Sequence, residues 1–81
     1  MSRVVIDVRL PVEFELGHHR DAINIPLKQI KKIRKNHPEI TFDDEIIIYC
    51  VSGYRAGRAR HKLTSLGFKN VISRVDQNQV D

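Results

Sequence analysis

The chain has 81 residues, fourteen Lys/Arg against ten Asp/Glu, and a single cysteine. That length fits one domain with a small core, and one cysteine excludes an internal disulfide or a multi-cysteine zinc site. His18 and His19 are adjacent while His37 and His61 stand apart, so no ligand-type spacing points to a metal, and no apolar run is long enough to cross a membrane.

In chain order the sequence alternates strand and helix signals. Val4-Val5-Ile6-Asp7-Val8 is a short β-branched run suited to a strand buried on both faces. Pro11 to Leu16 predicts a short helix, with proline in its first turn and Gly17 closing it. Ala22-Ile23-Asn24-Ile25 predicts a second strand, stopped by Pro26. From Pro26 to about Asn36, Leu27, Ile30 and Ile33 recur at helical spacing among five basic residues. That basic helix reads as a solvated face docked on a sheet, rather than a membrane or nucleic-acid binder.

Ile46-Ile47-Ile48-Tyr49 is the most apolar run and predicts the central strand. Ala56, Ala59, Leu63 and Leu66 then trace one helical face, with Gly67 as the C-terminal cap. Val71-Ile72 with Val75 supplies the last strand, and residues 76–81 form a polar tail with no obvious partner. These elements predict an α/β fold in one domain over residues 1–81, a small, mostly parallel four-stranded sheet flanked by helices.

Cys50 falls where the third strand ends and the long helix begins. Backbone N–H groups without intrahelical partners and the positive end of a helix dipole both favour negative charge on sulfur there, and the thiolate is the nucleophile. Gly53 suits a curled loop that needs positive φ. Arg55 adds a donor that can be bidentate toward an oxyanion. Asp7-Val8-Arg9 ends the first strand at the same rim, where ligands of open parallel sheets bind. Charge is distributed to match. Residues 1–50 balance eight Lys/Arg with eight Asp/Glu, whereas residues 51–75 carry six basic residues and no acid. Such a field concentrates anions near the thiol.

The loop Cys50-Val51-Ser52-Gly53-Tyr54-Arg55 resembles the six-residue active-site loop of single-domain rhodaneses, the thiosulfate sulfurtransferases. Ile6-Asp7-Val8-Arg9, Glu13-Phe14, Gly17-His18 and Ala22 to Pro26 are similar to the family's N-terminal signature. Leu63, Gly67-Phe68 and Asn70-Val71 are similar to its segment after the active-site helix. His19 stands where the family has an aliphatic residue and Asp21 where it has glycine. Ser73 to Gln77 replace a glycine pair and an aromatic residue.

The resemblance implies a rhodanese-like fold and covalent sulfur transfer without a metal or other cofactor. Cys50 would be the nucleophile, Val51, Ser52, Gly53 and Tyr54 the backbone cradle, and Arg55 the stabiliser of donor anion and persulfide. Asp7 would brace the loop and Arg58 would steer the donor. The implied partners are a small anionic donor such as thiosulfate and a thiol or cyanide acceptor. A second reading keeps the fold as a sulfur-carrier or sensing module with little turnover. Cysteine-dependent phosphatases and arsenate reductases need a Cys-x5-Arg loop, one residue wider, and nucleic-acid binding lacks interleaved aromatics. A monomer is expected, in the cytoplasm, or in the periplasm if a leader has been removed.

Overall fold

The computed structural model describes residues 2–81. Four strands, β1 (Arg3–Asp7), β2 (Ala22–Asn24), β3 (Glu45–Tyr49) and β4 (Asn70–Arg74), form one sheet in the order β2-β1-β3-β4. Every pairing is parallel: Asp7 lies opposite Asn24 and Tyr49, and Tyr49 opposite Arg74. Helix α1 (Pro11–Leu16) joins β1 to β2, and α3 (Tyr54–Leu66) joins β3 to β4. Because all strands run one way, their C-terminal ends share one rim. The segments after Asp7 and after Tyr49 therefore meet there, and the N–H of Val8 donates to the carbonyl of Tyr49 at 3.2 Å.

The segment expected to be one helix from Pro26 to Asn36 differs. It is a 3-10 helix over Leu27–Lys32 followed by the single α-turn α2 (Ile33–Asn36). The apolar residues explain the change. Leu27, Ile30 and Ile33 recur every third residue, which is the period of a 3-10 helix, so that winding keeps all three on the sheet.

Side chains alternate across the sheet with the strand period of two. Ile6, Ile46, Ile48 and Cys50 face the larger core with Ile30, Ile33, Ala56, Ala59 and Leu63. Val5, Ile47 and Tyr49 face the opposite side, where the smaller cluster takes nothing from α1, α2 or α3. The apolar cover there is Val80, buried against those three residues. The C-terminal tail is thus not without a partner, as its polar sequence suggests. Asp76 caps a 3-10 turn over Gln77–Gln79, accepting from the Asn78 N–H at 2.8 Å. Beyond Val80, the Asp81 carboxylate pairs with Arg3, His19 and Arg20. A sheet face left bare by the helices needs apolar cover, and one valine, followed by an aspartate held by two arginines and a histidine, supplies it. Among the described residues no helix is long and apolar enough to cross a membrane.

Candidate active site

The pleat and the helix start together place the cysteine. Continuing the alternation of β3, Cys50 turns toward the α3 side of the sheet and is only 2% exposed. The chain then reverses through Val51, Ser52 and Gly53 into α3. Gly53 has φ 86°, a left-handed conformation that other residues adopt only with strain. Its N–H donates to Cys50 Sγ at 3.0 Å.

A second donor lies one turn on. The N–H of Ala56 reaches Sγ at 3.4 Å. Within the helix, the first regular bond is from the Gly57 N–H to the Gly53 carbonyl, so the Ala56 N–H is one of the donors without an intrahelical partner. Gly53, at the cap position, offers no side chain, and the cysteine sulfur fills the role usually taken by a Ser or Asp oxygen. Ala56 and Ala59 are fully buried, and their small side chains let α3 sit close enough for this contact.

The expected cradle is therefore only partly realised. Of the loop residues Val51, Ser52, Gly53 and Tyr54, Gly53 alone directs its N–H at the sulfur, and Ala56, which the loop motif did not include, directs the other. Val51 and Tyr54 are exposed at the mouth, 56% and 67%.

Arg55 is placed differently from expectation. Its guanidinium is bidentate to Glu13 of α1, at 2.6 and 3.0 Å, and no hydrogen bond connects it to Sγ. Glu13 also accepts from the Leu10 N–H at 3.0 Å. The arginine, then that backbone donor, hold the Glu13 carboxyl down at about 2. An arginine at a helix start faces an unfavourable dipole, and a carboxylate on a neighbouring helix resolves that conflict.

Asp7 is fully buried, and its carboxylate accepts from the Arg9 backbone N–H and guanidinium at 2.7 to 3.0 Å. Arg9 also donates to the Gly17 carbonyl at 2.6 Å. The expected brace from Asp7 to the cysteine loop is thus indirect. Asp7 fixes Arg9, Arg9 fixes the end of α1, and Glu13 of α1 fixes Arg55. Arg58 lies on the outer face of α3, with Nη1 donating to the Tyr54 hydroxyl at 3.1 Å. Sequence reading missed the role of Glu13. Its only signals are an acidic residue in the first turn of a short helix and its place in the N-terminal signature.

His19 and Asp21, the departures from the family pattern, also have a structural account. The Asp21 N–H donates to His19 Nδ1, so Nε2 carries the proton toward Asp81, at 2.7 Å. The His19 N–H donates to the buried Tyr49 hydroxyl at 2.9 Å.

The Rhodanese-like domain model matches residues 1–77. The chain belongs to the rhodanese-like domain family. An uncharacterized protein of Bacillus subtilis, YqhL, is 49% identical over 69 residues, 85% of this chain and 52% of that protein. The thiosulfate sulfurtransferase PspE of Escherichia coli is 37% identical over 67 residues, 82% of this chain and 62% of PspE. A solved structure described as a rhodanese with anions from E. coli superposes with TM-score 0.84 at 32% identity, covering 96% of this chain and 91% of that one. The chain spans about half to three fifths of the length of these curated relatives. Names vary within the family: a tRNA uridine(34) hydroxylase of Streptococcus thermophilus is 31% identical over 71 residues, 84% of this chain and 22% of that protein.

Proposed function

We propose that this rhodanese-like domain is a sulfurtransferase that carries sulfur on Cys50. The observation behind the reading is the pair of N–H groups, from Gly53 and Ala56, aimed at one sulfur under the start of α3. Donors fixed in this way stabilise negative charge on Sγ without reorganising during the reaction. The Cys50 thiolate attacks the outer sulfur of thiosulfate or a related sulfane donor. A sulfur–sulfur bond forms to Cys50 as the donor's own sulfur–sulfur bond breaks, and sulfite leaves with that electron pair. Cyanide or a thiolate then attacks the outer sulfur of the Cys50 persulfide and regenerates the thiolate. The name of the E. coli relative PspE supports the same substrate class.

The acceptor and donor reach the sulfur through the mouth between Val51 and Tyr54. Arg55 serves the donor anion once it swings from Glu13, and Arg58 lies one helical turn from the loop to draw the anion in. Two observations favour a slower carrier or sensing role. The guanidinium that would receive thiosulfate is held by Glu13, and the sulfur is almost fully covered.

Intact-mass measurement after incubation with thiosulfate separates these readings. The expected result is a gain of one sulfur atom, lost with thiocyanate formation when cyanide is added and absent in Cys50→Ser. A persulfide that forms and scarcely turns over assigns the carrier role, and no mass gain with any sulfane donor overturns both.

A further inference from the structure

A groove of about 850 Å³ runs along the outer face of α3, with Lys31 of the 3-10 segment also in its wall. It begins at Gly53 and Tyr54, beside the mouth of the cysteine loop, and ends at Leu66. Tyr54 to Leu66 is 13 residues of helix, so the groove is about 18 Å long at ~1.5 Å of rise per step. Large apolar side chains stand at its two ends, where Tyr54 is 67% and Leu66 38% exposed.

Its charge is one-sided. Lys31, Arg58, His61 and Lys62 line it, and no carboxylate does. Among the described residues none of these four groups is paired with an acid, whereas Arg3, Arg9, Arg20 and Arg55 all are. Arg58 has only the neutral Tyr54 hydroxyl. Gly57 leaves the floor open: a Cβ placed there would meet nothing within 4 Å.

We propose, resting on the sulfurtransferase reading above, that this groove docks an acidic peptide segment of the protein whose thiol exchanges sulfur with Cys50. Three unpaired cations along one groove, Lys31, Arg58 and Lys62, call for several carboxylates in a row. About six extended residues span the groove, which places an adjoining cysteine at the loop mouth. The apolar ends and the exposed tyrosine and arginine match the composition of protein docking sites. A nucleic-acid strand would need successive aromatic platforms, and Tyr54 is the groove's one Phe, Tyr or Trp ring. In the transfer itself the partner's thiolate attacks the outer persulfide sulfur. The Cys50 sulfur–sulfur bond breaks as the partner's forms, so no external oxidant is required.

The test is fluorescence anisotropy with the full chain and a labelled peptide bearing about six Glu interspersed with Leu, set against its Gln counterpart. Three exposed ion pairs, each worth a factor of about 1.5 to 5, predict roughly tenfold tighter binding of the Glu peptide near 0.05 M salt. The difference should shrink at about 0.5 M. Lys31→Gln/His61→Gln/Lys62→Gln should remove most of it. Gly57→Glu should also remove it while holding or raising thermal stability, since glycine is the poorest ordinary helix residue. Cysteine-tipped forms of both peptides, mixed with the persulfidated protein, should show the same preference in sulfur-transfer rate. Transfer from thiosulfate to cyanide should change less than about twofold in the triple variant. Equal binding of the Glu and Gln peptides, or tighter binding of a single-stranded RNA of like charge, overturns the docking proposal and leaves sulfur transfer intact. Failure to form a persulfide overturns the transfer reading, and the binding measurement still judges the groove.

Discussion

Replacing Glu13 by glutamine isolates the contact that holds Arg55 away from the donor. The two bonds, 2.6 and 3.0 Å, join side chains that are 30% and 28% exposed. Water screens such a pair, so its net worth lies near the upper end for exposed ion pairs, about 1 kcal/mol, rather than that of a dry charge-assisted contact. Donor binding that begins by detaching Arg55 opposes this amount, and at 1.4 kcal/mol per tenfold it corresponds to about a fivefold change. Glu13→Gln is therefore expected to lower KM for thiosulfate about fivefold, with a loss of stability of about 1 kcal/mol. The assay is thiocyanate formation at varied thiosulfate, alongside urea unfolding.

The pH dependence follows from the direction of the Glu13 shift. Its carboxyl is held down from 4.5 to about 2, chiefly by Arg55, so the pair stabilises the fold fully above about 4.5 and loses that effect as pH falls toward 2. The stability gap between wild type and Glu13→Gln should be constant near neutrality and close over that interval. A variant that folds normally and shows unchanged or raised KM refutes the idea that Arg55 receives the donor after leaving Glu13.

Two further predictions concern the cap and the tail. Gly53→Ala places a side chain at φ 86°, where the added Cβ would make only ordinary contacts with Val75 at 3.7 Å. The cost is then backbone strain of about 1 kcal/mol, read from the urea midpoint. Moving the N–H that reaches Sγ should slow persulfide formation by about tenfold or more, since a hydrogen bond to a charged group is worth about 1.5–3 kcal/mol. Asp81→Asn should lower Tm at neutral pH without changing the sulfur-transfer rate. His19 first and Arg3 next hold the Asp81 carboxyl at about 2, below its usual 3.8, so the Tm difference should be complete above about 4 and fade as pH approaches 2. Equal melting of the two proteins at every pH refutes a stabilising role for the Asp81 pairs.

Much of the architecture is local and was therefore readable from the chain. The run Ile46 to Tyr49, short, apolar and rich in β-branched residues, favours a buried strand, Ala56, Ala59 and Leu63 recur on one helical face, and Gly67 takes the left-handed cap expected of it. Cys50 at the strand-to-helix junction, with Gly53 three residues on, follows from the same local logic. The winding of residues 27–36 was less legible, because spacings of three and of three to four differ little over two turns. Only the sign of the apolar period, read strictly, favours the tighter helix.

Contacts between distant segments were decided by the tertiary structure alone. Arg55 and Glu13 are 42 residues apart, and His19 and Asp81 are 62 apart. Which carboxylate an arginine meets depends on how α1 and α3 are carried to one rim by parallel strands, and no local pattern encodes that. The amino-acid order by itself determined the strands, the helices α1 and α3 and the position of the sulfur between strand and helix, because each depends on near neighbours. The folded sheet decided what surrounds that sulfur: which amides reach it, which acid restrains its arginine, and which valine closes the opposite face.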